Sequence, residues 1–91
     1  MVKQKVVTSS TEGFSDVQDL TDPIQNFLSE VGGDGLFNAS IPGSTAGITT
    51  IEFESGCVSD LQRALNEIAP EDRTYKYNEK WGDVNGFSHL R

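Results

Sequence analysis

Residues 46–70 have the sequence AGITTIEFESGCVSDLQRALNEIAP, and the spacing of their apolar side chains changes part-way along. In the first part, Thr49, Ile51 and Phe53 alternate with the other residues, which is typical of a half-buried strand. Pro70 closes the second part, because the residue before a proline is disfavoured in the helical conformation. The stretch therefore predicts a strand followed by an amphipathic helix. The core face of that helix is predicted to comprise Val58, Leu61, Leu65 and Ile68.

Three more strands are predicted from β-rich strings elsewhere in the chain. KVVTSST (residues 5–11) predicts a first strand, and FSDVQDL (14–20) predicts a second after Gly13. LFNASIP (36–42) has the alternation of a half-buried strand and precedes the strand predicted over 46–54. These last two strands should form a hairpin or a tight crossover.

A helix is predicted within TDPIQNFLSEVGGDG, residues 21–35. Asp22 suits the cap position, Pro23 suits the first helical position, and Gly32 with Gly33 ends the helix. We expect its apolar face to belong to the core, and this face comprises Ile24, Phe27, Leu28 and Val31.

The C-terminal part, from residue 71, predicts a polar loop and then the first turn of a helix. Tyr75, Tyr77 and Trp81 either anchor this loop against the core or stack on a heterocyclic ligand. The short helix would follow a cap at Asp83 or Asn85. Because the chain ends within that helical turn, we expect it to be the front part of a longer domain.

Composition excludes several classes of function. Of the 91 residues, 14 are acidic and 7 are basic, and the net charge of −7 disfavours nucleic acid and anionic membrane surfaces as partners. No apolar run is long enough to cross a bilayer, so a cytoplasmic protein is predicted. Cys57 is the only cysteine and is expected to be a small buried hydrophobe rather than a reactive thiol.

Three segments together resemble one known family. STAGITTIEFE, APEDRTYKYNE and DVNGFSHLR follow one another in the order and spacing of the YjbQ-like family, which is often labelled secondary thiamine-phosphate synthase. The resemblance covers most of the chain from about Gly13 onward. Family members continue through further strands, so residues 1–91 are expected to be a single, incomplete domain.

The resemblance implies a fold class, an assembly and an activity. It implies an α+β fold, with a mixed β-sheet packed with helices, that assembles as a homotrimer. The implied activity is a weak synthesis of thiamine phosphate from a pyrimidine pyrophosphate and a thiazole phosphate, so the partner is a small phosphorylated molecule.

The family's histidines are mostly replaced in this chain. Gly43, Tyr77 and Phe87 stand at three positions where family members commonly carry histidine, and only His89 is kept. One imidazole cannot hold a divalent metal by itself. The residues present therefore support no metal site, and no cofactor is assigned.

Residues 43–47 form a run of small residues, here called the small-residue loop. Gly43, Ser44, Thr45 and Gly47 would let backbone N–H groups and two hydroxyls approach a phosphate. The alternative is a hairpin turn that uses glycine and serine for its backbone geometry.

The remaining candidate residues follow from the resemblance. His89 and Glu52 are the catalytic candidates, although a solitary structural histidine and a solvent-facing strand glutamate are the alternatives. Asn78, Asn85 and Arg91 are the further ligand-binding candidates. Asn85, like Asp83, could instead serve only as a helix cap.

Two functional hypotheses follow. The first is a weak thiamine-phosphate-synthase-like enzyme in which the small-residue loop holds a phosphate. The second is a non-catalytic ligand-binding or assembly module that has lost the family histidines, and the replacements at positions 43, 77 and 87 favour it.

Overall fold

The computed structural model describes all residues from Met1 to Arg91 and contains four helices and no strand. Its contacts form two compact units, Met1–Asn38 and Ala39–Arg91. The single domain predicted over residues 1–91 stays a prediction. The helices are α1 (Thr21–Val31), α2 (Ser55–Ile68), α3 (Lys76–Trp81) and α4 (Gly86–Leu90).

The predicted α+β fold with a mixed sheet is wrong for this structure. None of the four segments predicted as strands (5–11, 14–20, 36–42 and 46–54) pairs with another. The backbone hydrogen bond found within these segments is a local one, from Glu54 N to Glu52 O at 2.8 Å. A strand exists only through hydrogen bonds to a distant neighbour, whereas a helix bonds within itself. Alternating apolar residues are therefore insufficient to produce a strand.

Helix α1 confirms the helix predicted in residues 21–35, although its start differs. The carboxylate of Asp19 accepts hydrogen bonds from the hydroxyl and the backbone N–H of Thr21, at 2.6 and 2.9 Å. These bonds lower the pKa of Asp19. The predicted cap, Asp22, lies in the first turn instead. Gly32 ends the helix as predicted, with φ of 69° and its N–H bonded to Leu28 O at 3.0 Å.

Helix α2 is confirmed, and an unforeseen residue caps it. The carboxylate of Glu54 accepts hydrogen bonds from the backbone N–H groups of Gly56 and Cys57, at 2.9 and 2.8 Å. Both bonds favour the charged form, the Gly56 bond more strongly, and they lower the pKa of Glu54. The helix stops at Ile68, two residues before Pro70, as predicted.

The polar loop predicted after residue 71 contains a helix that the sequence interpretation missed. Helix α3 ends at Gly82, which adopts the left-handed conformation with φ of 70° and bonds to Asn78 O at 2.8 Å. Helix α4 lies where a short final helix was expected, and it contacts α3.

The core of the second unit is small and lies where α3 and α4 meet the end of α2. The buried apolar residues are Ala69, Tyr75 and Phe87, and the Tyr75 hydroxyl donates to Pro70 O at 2.5 Å. The prediction that the apolar faces of α1 and α2 form the core is wrong, because neither helix contains a buried residue. Cys57 is only half-buried.

None of the four helices combines the length and the apolar character needed to cross a membrane.

Candidate functional site

The small-residue loop is exposed and forms no ladder. Residues 42–45 make a bend, and Gly43 has a φ of 99°, which favours glycine. No backbone N–H group of residues 43–47 donates to a backbone carbonyl. These amides are therefore available to an external acceptor, as the anion-binding prediction requires.

One contact joins this loop to the C-terminal helix. Ser44 Oγ lies 3.0 Å from His89 Nδ1, so a residue predicted to bind ligand and one predicted to be catalytic meet across 45 positions of sequence. This distance is that of a well-formed hydrogen bond. Ser44 is exposed and His89 is half-buried, which leaves the pair accessible from solvent.

An aromatic ring covers the imidazole. The ring of Tyr77 stacks on that of His89, with centroids 4.3 Å apart and planes inclined by 28°. Trp81 lies beside Tyr77, with centroids 6.4 Å apart. Helix α3 thus supplies a stacking surface that restricts the orientation of the His89 ring. Tyr77 contacts a catalytic candidate, whereas Trp81 is 61% exposed and does not anchor the segment to the core.

A bond between helices holds α4 in place. Asn78 Oδ1, on α3, accepts a hydrogen bond from Gly86 N at 2.8 Å. A Cβ on Gly86 would lie only 2.7 Å from Cβ of Tyr75, so α4 approaches this buried ring as closely as glycine allows. The resulting position of α4 brings His89 to the loop.

The remaining predicted residues differ in their surroundings. Arg91 Nε and Nη2 donate to the carbonyl oxygen of Ala69, at 3.0 and 2.9 Å, and its guanidinium lies over the Phe87 ring. Glu52 is exposed and forms no hydrogen bond with Ser44 or His89. The structure thus unites Ser44 with His89, while it directs the Arg91 side chain to the end of α2.

Asn85 occupies the predicted cap position without capping the helix. Its side chain makes no bond to the α4 backbone, and its Oδ1 atom is buried without a hydrogen-bond partner. Asn78 supplies the bond instead. Thr45 and Gly47 lie exposed in the loop, and Asp83 is exposed as well.

A family model decides the relationship of this chain to known proteins. The model described as UPF0047 protein YjbQ-like matches residues 5–91. The chain belongs to the YjbQ-like UPF0047 family. This membership confirms the family resemblance found in the sequence.

Curated relatives support the same relationship. A UPF0047 protein of Mycobacterium bovis is 36% identical over 61 residues, which cover 67% of this chain and 46% of the relative. UPF0047 proteins from two strains of Mycobacterium tuberculosis have the same identity over the same number of residues. The chain spans less than half the length of these relatives. No solved structure matches it.

This member of the UPF0047 family has no cluster of metal ligands, and its surface depressions lie outside the candidate site. No group of three or more His, Cys, Asp or Glu side chains is arranged to hold a metal ion. Two open surface depressions lie in the first unit, one beside Lys5 and Glu30 and one beside Leu36 and Phe37. Neither contains a predicted site residue.

Sequence interpretation missed three contacts of the site, and one of them is the stacking of Tyr77 on His89. The Ser44–His89 bond has no local signature, since its partners lie far apart in the sequence. The bond from Gly86 N to Asn78 could have been suspected, because asparagine side chains often accept hydrogen bonds from backbone N–H groups at helix starts.

Proposed function

We propose that this chain binds a small phosphorylated molecule at the small-residue loop. The observation that carries the proposal is the 3.0 Å contact between Ser44 Oγ and His89 Nδ1 beside amides that donate to no backbone carbonyl. Hydroxyl and amide donors at one exposed bend suit phosphate oxygens.

Each residue has a role in this proposal. The backbone N–H groups of Gly43, Thr45 and Gly47 donate to the phosphate. The Ser44 hydroxyl adds a further donor when His89 carries a hydrogen on Nδ1 and donates it to Ser44 Oγ. His89 accepts or donates a proton through Nδ1, while Tyr77 holds its ring in place.

The other predicted residues are assigned to the surroundings of the ligand. Asn78 and Asn85 lie at the junction of α3 and α4, next to the helix that carries His89. Arg91 would bind phosphate only after leaving the carbonyl of Ala69. Glu52 stays a catalytic prediction, since it is exposed and forms no hydrogen bond with Ser44 or His89.

The proposed reaction is the one implied by the family resemblance. The thiazole nitrogen attacks the methylene carbon of the pyrimidine pyrophosphate, the bond to the pyrophosphate oxygen breaks, and pyrophosphate leaves held by the loop amides. A divalent cation that accompanies the pyrophosphate would neutralise the charge of this leaving group.

Titration with inorganic phosphate and pyrophosphate, followed by NMR of the backbone amides, tests the binding step. We expect amide shifts confined to residues 43–47 and 89, and weaker binding in Ser44→Ala. Ser59→Ala is the matched control, because Ser59 is an exposed serine on α2. Shifts spread over the surface, or equal affinity in both variants, would reject the binding site.

The reaction is tested by incubating the chain with both substrates, with and without magnesium, and measuring thiamine phosphate. Product that disappears in His89→Asn supports the enzyme. Absence of product under all conditions, with phosphate binding retained, would leave the second candidate function, a non-catalytic binding module.

A specific observation favours that second candidate. Tyr77 stands where family members commonly carry a histidine, and its ring lies against one face of His89. Phe87, at another such position, is 3% exposed and packs in the core. Replacing histidines by packing residues is consistent with a site that binds without metal-assisted chemistry.

We further propose a homotrimer, as the resemblance implies. Large apolar side chains are exposed in several of the non-helical segments, and association would remove them from water. Light scattering at several concentrations tests this assembly, and a monodisperse monomer would reject it. The exposed side chains include Leu36, Phe37, Ile41, Ile48 and Phe53.

A further inference from the structure

The hydrogen bond between Ser44 and His89 is the arrangement of a nucleophile and its base. We propose that Ser44 is a nucleophile activated by His89 and that the chain hydrolyses small activated carboxylic esters through an acyl-serine. This reaction goes beyond the proposed phosphate binding, since it makes Ser44 form a covalent bond.

Geometry carries the first step. The distance of 3.0 Å from Ser44 Oγ to His89 Nδ1 lies within the range for proton transfer from a serine to a base. The hydroxyl donates to Nδ1 when the ring carries its hydrogen on Nε2. Ser44 is exposed, so an ester carbonyl can reach the oxygen without a rearrangement of the fold.

A third group orients the base. Tyr77 stacks on the imidazole at 4.3 Å, which limits rotation of the ring away from Ser44. This role is usually filled by a carboxylate that accepts a hydrogen bond from the histidine. Since stacking orients the ring without stabilising the imidazolium as a carboxylate does, we expect a slow enzyme that needs a good leaving group.

The loop also supplies donors for the charge that develops on the carbonyl oxygen. The N–H groups of residues 43–47 donate to no backbone carbonyl, and Thr45 directly follows the nucleophile. An amide adjacent to the nucleophile is a common donor to the oxyanion of acyl-transfer intermediates.

The reaction balances in two half-steps. In the first, His89 Nδ1 takes the Ser44 proton, Oγ bonds to the ester carbon, and the alcohol leaves with the proton returned by His89. In the second, His89 takes a proton from water, the hydroxide attacks the acyl carbon, and the carboxylic acid leaves while Ser44 regains its proton. One ester and one water thus become one acid and one alcohol.

The test uses the full chain with p-nitrophenyl acetate, observed as p-nitrophenolate release and by mass mapping of the acetylated peptide. We expect an initial burst proportional to protein and an acetyl group on Ser44. Ser44→Ala should abolish both, and His89→Asn should slow acetylation about 100-fold. Ser59→Ala, the exposed serine of α2, should behave as the parent protein.

Acetylation confined to lysines or the amino terminus, or equal rates in Ser44→Ala and the parent, would overturn the proposal. Circular dichroism of each variant controls for folding. Added inorganic phosphate separates the two proposals. If phosphate slows the acetylation of Ser44, the result supports both proposals. If phosphate does not slow it, phosphate binding at the loop is rejected and the nucleophile proposal stands.

Discussion

At the scale of the residue, single atoms decide whether the site forms. Gly86 is a clear case, because α4 passes so close to α3 that a side chain has no room. A Cβ at this position would lie 2.7 Å from Tyr75 Cβ and 2.8 Å from Asn78 Oδ1. The atom it meets on Tyr75 is next to the backbone and cannot swing away, so the helix itself would have to move.

Gly86→Ala is therefore expected to destabilise the fold by about 1–3 kcal/mol, the usual range for an overpacked site. Urea unfolding followed by far-UV circular dichroism measures this change. Gly35→Ala is the matched control, since a Cβ there meets nothing within 4 Å. Equal unfolding midpoints for the two variants would contradict the close approach of α4 to Tyr75.

The stabilisation of the first turn of α2 by the Glu54 carboxylate depends on pH. Its pKa is lowered in the folded chain by hydrogen bonds from Gly56 N and Cys57 N. Because this carboxyl pKa is lower in the folded than in the unfolded chain, ionised Glu54 stabilises the folded state at pH values above the ordinary glutamate pKa of about 4.3. This contribution is lost as the pH falls through the lower pKa of the folded chain. We expect Glu54→Gln to have less helix than the parent at neutral pH and the difference to close in acid. Circular dichroism across pH measures it, with Glu71→Gln as the exposed control.

At the scale of the element, α4 depends on α3. A helix of five residues cannot nucleate by itself, and its own cap residue, Asn85, provides no side-chain hydrogen bond. Asn78 Oδ1 satisfies Gly86 N from the neighbouring helix instead. The orientation of His89 on α4 therefore rests on a residue 11 positions earlier in the chain.

Asn78→Ala should destabilise the second unit by about 1–2 kcal/mol, because a part-buried N–H group loses its acceptor. Asn66→Ala is the control, since Asn66 is an exposed asparagine within α2 and has the same change of helix propensity. NMR of the His89 ring gives a second measurement, and its resonances should shift only in Asn78→Ala. An unchanged ring environment would indicate that α4 is held by other contacts.

At the scale of the whole molecule, little apolar surface is buried. Three apolar residues form the core, while residues such as Phe53 and Ile68 remain more than half exposed. Both compact units contain chain without regular hydrogen bonding. Such a molecule holds its helices mainly through local bonds and a few contacts at the α3–α4 junction.

Calorimetry should accordingly record a broad transition. A well-packed domain of about 100 residues has an unfolding enthalpy of roughly 60–80 kcal/mol at its midpoint. We expect a clearly smaller enthalpy here, because unfolding exposes little new apolar surface. A single sharp transition with the full enthalpy at low protein concentration would contradict this expectation. Sharpening with rising concentration would instead support the proposed assembly.

The helices were largely predictable, because their signals are local. Gly32 ends α1 and Pro70 follows the end of α2 through their own backbone preferences. The strands were not predictable from alternation, since residues such as Ile51 and Phe53 also needed a partner that the fold does not supply. Helix α3 was missed because its turn-forming and aromatic residues obscured the helical pattern.

The sequence by itself determined the family, the two long helices and the identity of the small-residue loop, because each depends on residues close together in the chain. Only the tertiary structure decided which candidates meet. It placed Ser44 against His89 and Tyr77 over the imidazole, and it bonded Arg91 to Ala69 O. The physical reason is that contacts across 22 or 45 positions depend on where the helices pack, which no local pattern specifies.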